Sequence, residues 1–184
     1  MKKMRAIIAS FLAVATLFSF TGCSSFKVID DEDVFFDALE DAVGIDKDET
    51  THAKNTKLNG DKVEYLISAK DGDNHYYYVR FKKEDDAMDY FDDLYEDFDD
   101  LFAEKEFDGS HAMSLTKTRG AVTVNGEFEY SKNIGKKYVS SGTDLYGGIY
   151  VNKNVYIEVY SANGSKRDKE KIDTFLKTLG FPKP

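Results

Sequence analysis

Apolar positions recur with two different periods along this chain. Within residues 30–43, Phe35, Ala38, Leu39 and Ala42 stand at i, i+3, i+4 and i+7, the spacing that lines one face of an α-helix. Acidic residues crowd its start, where the helix dipole favours negative charge. Gly44 followed by Ile45 has the form of a glycine C-cap with its apolar follower. Residues 84–105 carry the clearest helix: Ala87, Phe91, Leu94, Phe98 and Leu101 step by four and three, and Met88, Tyr95 and Phe102 widen the stripe. A coiled coil wants three or four full heptads, so this stripe is expected to pack on a sheet. A third helix is predicted over 167–179, with Ile172, Phe175, Leu176 and Leu179 inward. Ser165 and Asp168 make a capping-box-like start to it, and Gly180, Phe181 and Pro182 end it.

Elsewhere the period is two. Residues 63–69 and 76–82 read as strands around the loop Asp71, Gly72, Asp73 and Asn74, and residues 146–151 and 155–161 form a second hairpin across Asn152, Lys153 and Asn154. Residues 121–130 are predicted to fold back on Asn125 and Gly126, a type I′ turn pair, followed by a polar connection over 131–143. Tyr77, Val79 and Phe81 share one strand face, as do Val155, Ile157 and Val159; if both sets face the core, Tyr76, Tyr78, Tyr156 and Tyr160 share the other, joined by Tyr150. A weak pseudo-repeat of two strands and a helix spans 63–105 and 146–179. The predicted fold is α+β in two layers: a mainly antiparallel sheet with three amphipathic helices packed on one face, in a single domain over 31–184.

The first 23 residues follow neither period. Lys2, Lys3 and Arg5 precede 15 residues, 6–20, without a charge. A basic start and an apolar run of this length are those of an export signal, too short for a membrane span of roughly 20 apolar residues. Phe20, Thr21, Gly22 and Cys23 follow directly, and this segment resembles the lipobox of bacterial lipoproteins, with Phe20 where Leu is usual. The resemblance implies a signal peptide over 1–22, cleavage before Cys23 and a diacylglyceryl group on the Cys23 sulfur, which places the domain on the extracytoplasmic face of the cell membrane. Two or more acyl chains make a stable anchor where one is marginal. Residues 23–30 would then be the lipidated cysteine and a short tether of about 20 Å. The chain as a whole is similar to the small lipoproteins of Gram-positive bacteria.

Removing residues 1–22 leaves 162, enough to bury a core. It also removes three bases, so that 22 basic residues face 34 acidic ones, a net charge of −12. The 12 acidic residues of 84–106, against Lys105 alone, carry most of it. This balance excludes nucleic acid as a partner, since phosphate binding needs Lys and Arg. It also argues against the domain lying on anionic lipid. Cys23 is the single cysteine, so the folded part has no disulfide, thiol nucleophile or cysteine metal site.

Motifs for catalysis are sparse. His52, His75 and His111 are scattered, two of them read as loop residues, with no pair at metal-binding spacing. No Gly-x-Ser-x-Gly or phosphate loop occurs, and Ser165 reads as an N-cap. The acidic segments 71–74 and 46–49 offer oxygen ligands, but neither matches a calcium loop and both read as ordinary turns. No metal or cofactor is expected. The sharper candidate is the tyrosine face of Tyr76, Tyr78, Tyr150, Tyr156 and Tyr160, a rigid amphipathic surface for a protein or glycan partner. The expected function is a non-catalytic binding or interaction module on a lipid tether. The alternative is an envelope hydrolase whose site is built from scattered Asp, Glu, Ser and Tyr.

Overall fold

Strand β3 (Asn74–Phe81) and strand β9 (Val155–Ser161) pair antiparallel at the middle of a seven-stranded sheet, and both are apolar on both faces. The computed structural model describes residues 26–135 and 137–184, the side chain of Tyr138 excepted. The other strands are β1 (Thr51–Leu58), β2 (Asp61–Asp71), β4 (Phe107–Thr116), β5 (Arg119–Phe128) and β8 (Asp144–Asn152), giving the order β1-β2-β3-β9-β8-β5-β4 with every pair antiparallel. A separate hairpin joins β6 (Lys132–Ile134) to β7 (Lys137–Val139). The helices are α1 (Glu32–Val43), α2 (Glu84–Ala103) and α3 (Lys166–Leu179).

Among the described residues the fold is α+β with an antiparallel sheet and three α-helices, as the periodicities predict. The layering differs from the expected two. Helices α1 and α3 cover one face, with Phe35, Leu39, Phe175 and Leu176 on Tyr76, Tyr78, Tyr150 and Ile157. Helix α2 covers the other, with Phe91, Phe98 and Leu101 on Val79, Phe81, Val122 and Val151. A sheet whose central strands are apolar on both sides exposes one side if all helices stack on the other. Connectivity supplies the second cover: α2 leaves β3 mid-sheet and must reach β4 at the far edge, about 20 Å across, which its roughly 30 Å length spans. The two strand–strand–helix units therefore send their helices to opposite faces, and the pseudo-repeat is one of element order only.

The caps behave as their residues dictate. Gly44 and Gly180 take left-handed φ of 80° and 76° and donate back to the last helical turn. Ser165 Oγ accepts from the Asp168 N–H at 3.2 Å. Strand β5 runs straight through Asn125 and Gly126 instead of turning there, because Gly126 lies opposite Gly109 of β4 and a Cβ on it would collide with the Asp108 carbonyl. Edge strands β1 and β4 escape the periodic reading because their exposed sides are polar and their inward sides only half-buried. The stretch 131–143, read as a connection, contains the β6–β7 hairpin.

The tether expected over 23–30 is, from Phe26 onward, part of the fold. Phe26 is 4% exposed and Ile29 8%, and the Phe26 ring lies 4.9 Å from Phe181 and 5.8 Å from Tyr150. Buried tyrosines fasten the segments before α1 and after α3: Tyr78 O–H donates to the Ile29 carbonyl at 2.9 Å and Tyr150 O–H to the Pro182 carbonyl at 2.7 Å. Tyr78→Phe leaves the Ile29 carbonyl without its donor in a dry site. We expect a loss of about 1–3 kcal/mol in urea unfolding; unchanged stability would show that this bond holds nothing.

Candidate functional site

The α2-facing side of the sheet is built in rows set by strand register. His75, Tyr160, Gly147 and Val124 stand opposite one another across β3, β9, β8 and β5, and the next row is Tyr77, Glu158, Ile149 and Val122. A third row, Val79, Tyr156, Val151 and Gly120, takes the first half of α2 directly. Gly120 is required there, since a Cβ would strike the Phe91 ring. The first two rows receive less of the helix, and a cavity of about 670 Å³ remains above them. Val122, Val124, Ile149 and Tyr160 form its floor, Tyr90, Leu94 and Phe98 its wall, and Ile134, Lys137 and Val139 of the β6–β7 hairpin its cover.

One charge is buried in this apolar surround. Glu158, 6% exposed, projects from the middle of β9 into the cavity. Its Oε2 accepts from Tyr156 O–H at 3.0 Å, and its Oε1 pairs with the Lys137 ammonium that reaches in from the hairpin. Lys137 Nζ also lies 4.8 Å from the centroid of Tyr160, whose ring stacks at 4.7 Å on His75. The carboxylate is thus paired and hydrogen-bonded, the condition under which a buried charge is tolerated.

The acidic helix holds the cover in place. Gly135 N–H donates to Asp97 Oδ2 at 2.5 Å, and Lys132 Nζ reaches Glu104 at 3.2 Å and Glu106 at 3.0 Å. Part of the unbalanced charge of 84–106 is therefore structural. The remainder repels: burial, and then Asp89 and Asp93, push the Asp92 carboxyl above the usual range.

The five tyrosines do not form one exposed face. Tyr76 lies opposite Val159 and Tyr78 opposite Ile157, so they share the α1/α3 face with Tyr150, whereas Tyr156 and Tyr160 lie on the α2 face. The assumption that both hairpins have the same in–out phase fails by one residue, which moves a whole strand face. Tyr76, Tyr78, Tyr150 and Tyr156 are fully buried, and Tyr160 is the one that reaches the cavity. Cys23 lies outside the described residues. All three histidines sit on strands against aromatic rings, His52 on Tyr65, His75 on Tyr160 and His111 on Phe102. Burial lowers the His75 pKa, with Lys70 and Lys137 adding to it, and burial alone lowers that of His111.

The acidic turns have internal partners: Asp71 pairs with Lys171, Asp73 accepts from Asn163, and Glu49 accepts from the Asp46 N–H. Among the described residues no group of three His, Cys, Asp or Glu is placed to hold a metal ion. Ser140 and Thr143 line the cavity, but neither hydroxyl is hydrogen-bonded to His75 or Glu158. Glu158 and Lys137 were missed in the sequence. The available signal was a lone acid inside the doubly apolar run 155–161. Compared with known protein families, with characterised proteins and with solved structures, the chain matches none.

Burial pushes the phenols around the cavity upward: Tyr90 to about 12, with the Glu158 charge adding to it, and Tyr77 and Tyr156 well above their ordinary value. The unfolded chain gives up these protons near pH 10, while the folded chain keeps them. The stabilisation is complete below about pH 10 and is lost as pH climbs through the unfolded value toward those of the fold. Phenolate absorbance from the buried set is therefore expected to appear together with loss of near-ultraviolet dichroism. Full ionisation of these tyrosines with the fold intact would contradict their burial.

Proposed function

We propose that this chain is a bacterial lipoprotein, cut before Cys23 and acylated there, whose domain is a non-catalytic binding module at the extracytoplasmic face of the membrane. Its ligand is a small, largely apolar molecule held in the cavity under the β6–β7 hairpin. The observation that carries this reading is the cavity itself. Its volume of about 670 Å³ falls in the range of about 300–1,000 Å³ typical of ligand pockets, and it combines an apolar lining with one buried polar group. The cover is a small hairpin that packs Ile134 and Val139 on the core and is tied to the domain by ion pairs and the Gly135–Asp97 hydrogen bond.

Membrane attachment rests on the lipobox resemblance at Cys23. It is compatible with the described residues, in which no helix is long and apolar enough to cross a membrane. A hydrolase is the weaker reading. Both oxygens of Glu158 are engaged, by Lys137 and Tyr156.

Two measurements test the proposal. Mass spectrometry of the protein from its native host should find a diacylated Cys23 at the amino terminus; an intact amino terminus or a free thiol there ends the anchoring claim. Titration with the neutral fluorophore N-phenyl-1-naphthylamine should show saturable binding, displaced by decanol. Val122→Phe fills the cavity from its floor and should weaken that binding at least about tenfold, the consequence of losing about 1.4 kcal/mol of contact, with the circular dichroism unchanged. Absence of binding to the unsubstituted protein would refute the ligand claim.

A further inference from the structure

The domain is acidic overall, yet its charge is divided by the sheet. Every strand pair is antiparallel, so the turns fall at two ends about 20 Å apart, the length of β9. One end carries the turns after β1, β3, β4 and β8. Backbone hydrogen bonds join these into one surface: Lys153 N–H to the Thr118 carbonyl at 2.8 Å, Phe81 N–H to Asn154 at 2.8 Å, and Lys82 N–H to Lys62 at 3.0 Å. Lys62, Lys82, Lys83, Lys117 and Lys153 project here, all exposed, with Arg119 half-buried beside them. The acids on the turns themselves are Asp61 and the first residues of α2, Glu84, Asp85 and Asp86, of which Asp86 is taken by Lys83 at 3.6 Å; beside them Arg80 pairs with Glu32 and Glu64, and Asp30 and Asp31 stand exposed where the chain enters α1. The opposite end presents Asp71, Asp73, Asp108, Glu127, Glu129 and Asp144, of which Asp71 pairs with Lys171 and Asp144 with Lys169 at 3.7 Å.

The polypeptide enters the fold at the basic end. Asn152 Nδ2 donates to the Phe26 carbonyl at 2.8 Å, the Arg119 guanidinium lies 5.7 Å from the Phe26 ring, and exposed Lys27 adds another base. Three residue steps separate Phe26 from Cys23, a reach of at most about 10 Å. That is about one screening length at physiological salt. Any hydrophobic attachment at or before Cys23 therefore holds this end, and not the acidic one, within electrostatic range of the bilayer.

We propose that the basic turn end of the sheet docks on anionic phospholipid headgroups, so that the domain stands end-on to the membrane with its acidic end outward. The overall charge of −12 argued against contact with anionic lipid, but the relevant quantity is the local field at the attached end, where the turn lysines stand; helix α2, which carries most of the negative charge, starts at this end and leads away from it.

The inference rests on the membrane attachment proposed above, and the test separates the two. The full chain, purified from bacterial membranes, is incorporated into vesicles of phosphatidylcholine alone or enriched in phosphatidylglycerol. Flotation with the neutral vesicles reports the anchor. Acetylation by a membrane-impermeant reagent, read residue by residue by mass spectrometry, reports the docking. Lys27, Lys82, Lys117 and Lys153 should be protected about fivefold or more on anionic vesicles, the effect of one basic group near such a surface, and Lys47 and Lys166 should not. Protection should vanish at about 1 M salt, where the screening length falls to about 3 Å. The variant K62E/K82E/K117E should float with neutral vesicles as before and lose the protection of Lys27 and Lys153 on anionic ones. Equal labelling of these lysines on both vesicles overturns docking while leaving the anchor intact. Equal protection by soluble polyphosphate overturns it in favour of a polyanionic polymer.

Discussion

The pairing of β3 with β9 is the constraint from which the rest of the molecule follows. Both strands are apolar on both sides, so neither face of the sheet they centre can be left in water. Burying such a strand pair is worth roughly 25 cal/mol per Å² of apolar surface, and a face left open forfeits that gain. Helices α1 and α3 with the two chain ends close one side; α2, crossing from mid-sheet to the far edge, closes the other. The single crossing helix is also why the second closure is incomplete and why the cavity lies where it does.

Filling that gap with a two-stranded hairpin has an electrostatic consequence. A hairpin of two three-residue strands has little apolar surface of its own and is marginal in isolation. It is held by Lys132, Gly135 and Lys137, each on an acidic partner. In the Lys137–Glu158 pair the carboxylate is buried and the lysine half-exposed. Removing the ammonium would leave the buried Glu158 carboxylate with Tyr156 alone as partner, so the position of the hairpin is coupled to that charge. In the binding reading proposed above, a polar group on the ligand would take the ammonium's place. The carboxylate on a rigid central strand, with its Tyr156 hydrogen bond, supplies the fixed half of the site.

Charge is distributed along the strand axis as well as between the faces. The turns at the end where the chain enters are rich in lysine, and the turns at the other end in aspartate and glutamate. A net charge averaged over the chain conceals this separation, because at physiological salt groups about 20 Å apart are nearly independent.

The sequence by itself determined the three helices, their caps and their inward stripes, because a helix is specified by residues within one or two turns of each other: Gly44, Ser165 and Gly180 act where they stand. It also determined the antiparallel α+β class and the two hairpins, β2–β3 and β8–β9, for the same local reason. What only the tertiary structure decided is which strands meet and in what phase. The slip that separates Tyr76 and Tyr78 from Tyr156 and Tyr160, and the meeting of Glu158 with Lys137, depend on pairings between segments that no local period specifies. Edge strands β1 and β4 were invisible because half-exposed strands need no alternation. The lysine turns become one surface only once antiparallel pairing stacks them at one end, so lysines scattered through a net-negative sequence are gathered in space.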